Sequence, residues 1–188
     1  YCGDVVPDSP VFAMDALPAC DLLLVDASYG ADRTPADERG AAIRRWLAAH
    51  PQGAVLPTPL SGRSVELIGL IETPIAIHPS MREALAQQIA ASTWLKPRAA
   101  DILSARFAEA LLWEEGQPLP AAAPRVDDGM GLAGPSKAAL AQARRERHPV
   151  LLTGGIPKAS PADLMLAAGE AAWLRFPTHP TLPENIAI

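Results

Sequence analysis

Cysteine is nearly absent: the 188 residues hold only Cys2 and Cys20. Two are too few for the disulfide framework of a small secreted domain, and they read as reduced thiols. No run of about 18 apolar residues occurs, so no segment is expected to span a membrane. No signal-peptide pattern precedes the fold either, and cytoplasm is the expected compartment. A basic surplus is also missing: 16 Lys and Arg against 21 Asp and Glu give a net charge of −5. That excludes the global positive field behind non-specific nucleic-acid binding. Contact with nucleic acid would need a local groove or a bound metal. Aromatic residues are sparse at 5%, and Trp46, Trp94, Trp113 and Trp173 are scattered, which suits core or contact positions better than base stacking.

What is present describes a globular chain. Apolar residues make up 49% and charged residues 20%, and a chain of this length buries roughly 70% of its unfolded surface. The 20 prolines suit short elements joined by stiff turns. Leu22-Leu23-Leu24-Val25 reads as a strand buried on both faces. A helix follows from about Pro35, with Asp37 and Glu38 in its favoured first turn, and stops before Pro51. Strands are then expected at 54–56, 75–77, 150–152 and about 172–176. Helices are expected at 61–71, 80–92, 101–113, 135–147 and 162–168. Ser80 and Glu83 have capping-box spacing, and 118–124 reads as a stiff linker. This alternation predicts an α/β fold, a mostly parallel sheet with helices on both faces.

Three positions put a polar residue just past an apolar strand, where open parallel sheets hold ligands: Asp4, Asp26 and His179. Each has a bland alternative, an Asp as turn former or cap and a lone His as a structural residue. One chemistry would use all three. A carboxylate can bridge two divalent metals on a phosphodiester, and a second carboxylate can orient a histidine that protonates the leaving oxygen.

The wording of these segments resembles the β-CASP branch of the metallo-β-lactamase superfamily, which includes RNase J-type nucleases and messenger RNA 3′-end cleavage factors. Tyr1-Cys2-Gly3-Asp4 is similar to the family's Tyr-Thr-Gly-Asp, and Asp21 to Gly30 to its acidic Ala-Thr-Tyr-Gly motif. Ala54 to Leu67, with Gly62-Arg63 and Glu66-Leu67, resembles the strand, loop and helix bearing Gly-Arg-Ala-Gln-Glu-Leu. Asp128-Gly129-Met130 with Gly134-Pro135 resembles the Ser-Gly-Met loop. Thr153-Gly154 resembles a Val-Gly-Tyr segment, and Phe176 to His179 resembles Phe-Ser-Gly-His. The resemblance covers nearly the whole chain, in order.

It implies three stretches: residues 1–52 and 173–188 as flanking pieces of a metallo-β-lactamase αββα domain, and 53–172 as the β-CASP domain. It implies a nuclease or exonuclease-like hydrolase with two zinc ions in the intact parent, acting on RNA or DNA. Asp4 would be the bridging metal ligand, Asp26 the orienting acid and His179 the proton donor. The family's His-x-His-x-Asp-His motif would lie upstream of Tyr1 and a His-Gly-Glu downstream of His179. This extent alone is therefore expected to hold no zinc and to be inactive. Pro177-Thr178 and Pro180-Thr181 depart from the family's residues around the histidine.

Two helix starts are candidate phosphate cradles: Ser61, Gly62 and Arg63, the last a positive fork, and Gly129 with Gly131 in the loop to Gly134. A tight turn is the competing reading of the second, since a lone glycine pattern is weak. Arg144-Arg145-Glu146-Arg147-His148 suits a helix C-terminus better than an RNA patch. His50 and His78 read as turn markers. A non-catalytic module gripping nucleic acid or a protein, and a Rossmann-like phosphate binder using 129–134, are the competing functions. Oligomeric state is left open.

Overall fold

A computed structural model describes Cys2 and residues 6–188. Seven α-helices lie among the described residues: α1 (Ala36–Ala48), α2 (Arg63–Leu70), α3 (Pro79–Ala90), α4 (Pro97–Glu109), α5 (Gly134–Glu146), α6 (Pro161–Ala167) and α7 (Leu182–Ala187). Proline opens five of them, α3 to α7. Its missing N–H costs nothing in the first turn and its fixed φ suits a helix start.

The strands are short: β1 (Leu56–Pro57), β2 (Ile75–Ile77), β3 (Leu111–Leu112), β4 (Ala123–Val126), β5 (Leu151–Leu152) and β6 (Ala172–Trp173). Four form a parallel sheet in the order β1-β4-β2-β3, and β5 pairs with β6 in parallel. A parallel bridge between Val55 and Val150 joins the two sheets, with the Val55 N–H on Pro149 O at 2.9 Å and the Leu151 N–H on Val55 O at 3.0 Å. Across the molecule the order is therefore β6-β5-β1-β4-β2-β3.

Side chains alternate across this sheet as strand geometry requires. Leu56, Ile75, Ile77, Ala123 and Leu151 enter the core under α1 to α4, which includes Ile43, Leu47, Ile68, Met81, Leu85 and Leu103. Val55, Ala76, Val126, Val150 and Leu152 enter a second core with Trp113, Leu140, Ala143 and Met165. Both faces are covered, so the fold is α/β. The chain leaves β1 toward β2 on one side and leaves β4 toward β5 on the other. Strand order thus reverses between β1 and β4, and in such sheets ligands bind outside the strands' carboxyl ends at that point. The loops there are 58–62 and 127–133.

Several expectations need correction. Residues 22–25 are not a doubly buried strand: among the described residues Val25 alone makes a bridge, to Cys2, and Leu22 and Leu24 are 76% and 56% exposed. The helix expected at 101–113 starts at Pro97 and ends at Glu109, after which Leu111 and Leu112 extend as edge strand β3. The expected linker contains the first residues of β4, a central strand in which Pro124 is paired with Ala76. The cap of α3 is His78, whose Nδ1 accepts from the Ser80 N–H at 3.2 Å, while Glu83 accepts from Gln87. His50 closes α1 through Nδ1 and Trp46 O, 2.7 Å apart. Trp113 is in the core, but Trp94 is 73% exposed. No helix among the described residues is long and apolar enough to cross a membrane.

Candidate functional site

The site is built where the N-terminal segment and the chain after β6 fold over the start of α2. Buried Ser9 is the anchor of that segment. Its hydroxyl accepts from the Phe12 N–H at 3.0 Å and donates to Glu66 Oε1 of α2 at 2.6 Å. Lys96 Nζ holds the Ser9 carbonyl at 2.6 Å. Between this turn, the 58–62 loop and residues 178–179 lies a cleft of about 430 Å³, within the size range of small-molecule sites. Glu66, Ser61, Gly62, Thr178 and His179 are among its lining residues.

Asp26 and His179, far apart in the chain, meet beside it. Their Oδ1 and Nδ1 are 3.6 Å apart. This is ion-pair distance, longer than the roughly 3.2 Å limit of an N–H···O hydrogen bond. The hydrogen-bonded orientation expected for the pair is therefore not made directly. Asp26 is held instead by Ser28, whose N–H reaches Oδ1 at 2.7 Å. Ser28, foremost, and the imidazole, to a lesser degree, lower the Asp26 carboxyl below its ordinary range. Asn185 Nδ2 donates to the Asp26 carbonyl at 2.8 Å, and the Tyr29 ring lies 6.0 Å from that of His179.

Arg63 does not offer its fork to a phosphate. It is 9% exposed; its Nε donates to Phe176 O at 3.1 Å and Nη2 to Thr178 Oγ1 at 3.3 Å. Burial lowers its pKa, with Tyr29 and Glu66 acting the other way. The guanidinium packs on Gly154, where an added Cβ would stand 2.6 Å from Nη1. Arg63 is thus a positioning residue, fixing the backbone immediately before His179. Of the first proposed cradle, Ser61 and Gly62 do line the cleft, but the Gly62 N–H is taken by Gln88 Oε1 at 3.2 Å.

The second cradle already holds an anion of its own. The Asp128 carboxylate accepts from the N–H groups of Met130 (2.5 Å), Gly131 (2.9 Å) and Ala133 (3.1 Å). Those three amides are not free for a phosphate, which favours the tight-turn reading of 129–134 over the cradle. Gly131 serves that turn: at φ 72° a Cβ would meet Leu140 Cδ1 at 2.4 Å. Gly129 packs on Pro59, closing the loops at the switch point against each other.

Asp4 lies outside the described residues. Among those described, no group of three or more His, Cys, Asp or Glu is placed to hold a metal ion. A zinc site takes four ligands, or three and a water, so the described side chains do not make one. The basic run at the end of α5 lies just before β5, and Arg144 there pairs with Glu170 at 2.9 Å. Compared with protein-family models and with curated proteins, the chain matches none.

Two features went unread in the sequence. Ser9-Glu66 is one; a Ser-Pro turn gives no hint of a partner in a later helix. The other is a clip centred on Asp32, whose Oδ1 meets Arg39 Nη2 at 2.5 Å and the Thr34 N–H at 3.0 Å, while its carbonyl accepts from Leu182 of α7. Arg39 Nη1 also reaches Arg175 O at 3.4 Å. The Thr34 N–H, foremost, and Arg39 lower the Asp32 pKa from 3.8 to about 2. Between these values the unfolded chain binds more protons, so stability falls with falling pH. Stability from this group is complete above about pH 4 and disappears toward about pH 2. Urea unfolding across that window is expected to show a shallower acid loss for Asp32→Asn than for the wild type. Equal slopes would mean that the clip contributes nothing.

Proposed function

We propose that this chain belongs to a hydrolase of phosphodiesters in RNA or DNA, of the β-CASP metallo-β-lactamase kind that its motifs resemble. The observation that carries the reading is the approach of Asp26 and His179 to 3.6 Å beside a cleft of suitable size. In this reading His179 protonates the leaving oxygen, and the Asp26 carboxylate beside it orients the ring. Arg63, through Phe176 and Thr178, fixes the backbone that carries His179. A short rotation of the imidazole would turn the 3.6 Å contact into a hydrogen bond, and catalytic hydrogen bonds are commonly long in unliganded sites. Resemblance alone supports zinc as cofactor, with Asp4 the one ligand match carried here. These 188 residues by themselves are accordingly proposed to be inactive.

Incubation of the full-length protein with zinc and a 5′-labelled RNA or single-stranded DNA oligonucleotide is the test. Cleavage that a chelator stops and added zinc restores is the expected result. Binding without cleavage would instead favour a non-catalytic nucleic-acid module. One observation leans that way: Asp26 spends its shortest hydrogen bond on Ser28, not on the histidine.

A further inference from the structure

The inner cleft has a chemistry that a phosphate does not explain. Val6, Phe12, Met14 and Pro59 supply apolar wall, and no lysine or arginine is among its described lining residues. At its inner end stands a carboxyl group, Glu66, only 3% exposed and fixed by the Ser9 hydroxyl. Burial, foremost, and Glu184 raise its pKa, against the effects of Ser9 and Arg63. A carboxyl accepts hydrogen bonds through both oxygens, and donates one as well when it keeps its proton. Away from His179, an anion in such a space would lose its hydration without gaining a lysine or arginine. A flat, uncharged ring with a donor and acceptor on one edge would lose little and satisfy the carboxyl.

We propose that the inner cleft is a nucleobase subsite, in which the base's hydrogen-bonding edge meets the Glu66 carboxyl and its ring lies against Phe12 and Met14. The subsite rests on the phosphodiesterase reading for its purpose: it seats the nucleotide whose phosphate faces His179. Its binding can nevertheless be measured without turnover. The cleft's 430 Å³ accommodates one nucleoside, so a single base is selected per bound strand.

Isothermal titration of the chain with the four ribonucleosides, with adenosine 5′-monophosphate and with ribose 5-phosphate tests this. At least one nucleoside is expected to bind, and ribose 5-phosphate is expected to bind at least about tenfold more weakly than the nucleotide. Glu66→Ala should weaken the nucleoside by about tenfold, the worth of a buried hydrogen-bonded pair. Glu66→Gln keeps a donor and an acceptor and should stay within about threefold of wild type. Met14 is 43% exposed, so Met14→Ala leaves the fold intact and should cost about threefold through lost ring contact. That variant decides the matter if Glu66→Ala does not fold. Binding of ribose 5-phosphate as tightly as the nucleotide, no binding by any nucleoside, or indifference to Met14→Ala would each overturn the subsite. Nucleoside binding without oligonucleotide cleavage would sink the hydrolase reading alone; cleavage without nucleoside binding would sink only the subsite.

Discussion

Replacing Arg125 with methionine is expected to raise the melting temperature by roughly 5–15 °C, the equivalent of about 2–4 kcal/mol in a chain of this size. Arg125 stands near the end of β4, in register with Leu56 of β1 and Ile77 of β2. It is 0% exposed, and none of its three guanidinium nitrogens has a hydrogen-bond partner among the described residues. None of the ion pairs among the described residues includes it. Desolvation, with Arg106 adding repulsion, lowers its pKa well below the usual guanidinium range, to about 9. Removing a charge from water without a counter-ion costs several kcal/mol. Methionine fills similar space without that cost and adapts to irregular gaps.

A second measurement separates the charge from the packing. At neutral pH the group is protonated in both folded and unfolded chains, so it adds no pH dependence. As pH climbs past about 9 the folded chain loses this proton first, while the unfolded chain keeps it to far higher pH. The unfolded state then binds more protons, and stability rises with pH. The advantage of Arg125→Met over wild type should therefore shrink between pH 8 and pH 10.5. Other alkaline titrations are common to both proteins and cancel in the difference. A methionine variant less stable than wild type at pH 7 would show that the guanidinium has a compensating partner.

Arg125 also marks a limit on what this sequence discloses. The α/β class was legible because turn prolines and apolar runs alternate, and because Ile75-Ala76-Ile77 and Val150-Leu151-Leu152 lack polar interruptions. The strand that completes the sheet was legible only as the short pair Arg125-Val126, since Ala123-Pro124-Arg125-Val126 carries a proline and a cation, both arguments against a central strand. Parallel pairing accommodates Pro124, and the arginine is simply buried. Leu111 and Leu112 were absorbed into a helical pattern because two exposed leucines have no period of their own. The opposite error occurred at Leu22 to Val25: an apolar run fixes preference for burial, not the presence of a partner to bury it.

The site divides in the same way. No periodicity joins Asp26 to His179; only the resemblance of their surrounding motifs suggested it, and the two do lie at ion-pair distance. Arg63 was assigned by residue type to phosphate, but α2 directs its fork inward to Phe176 and Thr178. For the glycine loop a better signal was present. An Asp directly before glycine forms side-chain turns to the amides that follow, as Asp128 does. The N-terminal turn at Ser9 could not have been matched to Glu66 from sequence, because the contact depends on how α2 docks.

If the proposed hydrolase reading holds, His179→Ala is expected to slow oligonucleotide cleavage by the full-length protein by about 100- to 10,000-fold, the usual worth of a general acid. The size of the loss alone would not establish the role, since a displaced loop could also abolish activity. Leaving-group dependence does. A nitrophenyl phosphodiester expels a stable anion that needs no proton, so loss of the acid should matter little, within about tenfold. Asp26→Asn should follow the same pattern more weakly, because it removes the charge beside the imidazole but leaves the ring in place. Arg63→Ala should impair both substrates alike, since it loosens the backbone before His179 and not the proton itself. Equal losses on both substrates for His179→Ala would remove the proton-donor role and leave this histidine as part of the cleft wall.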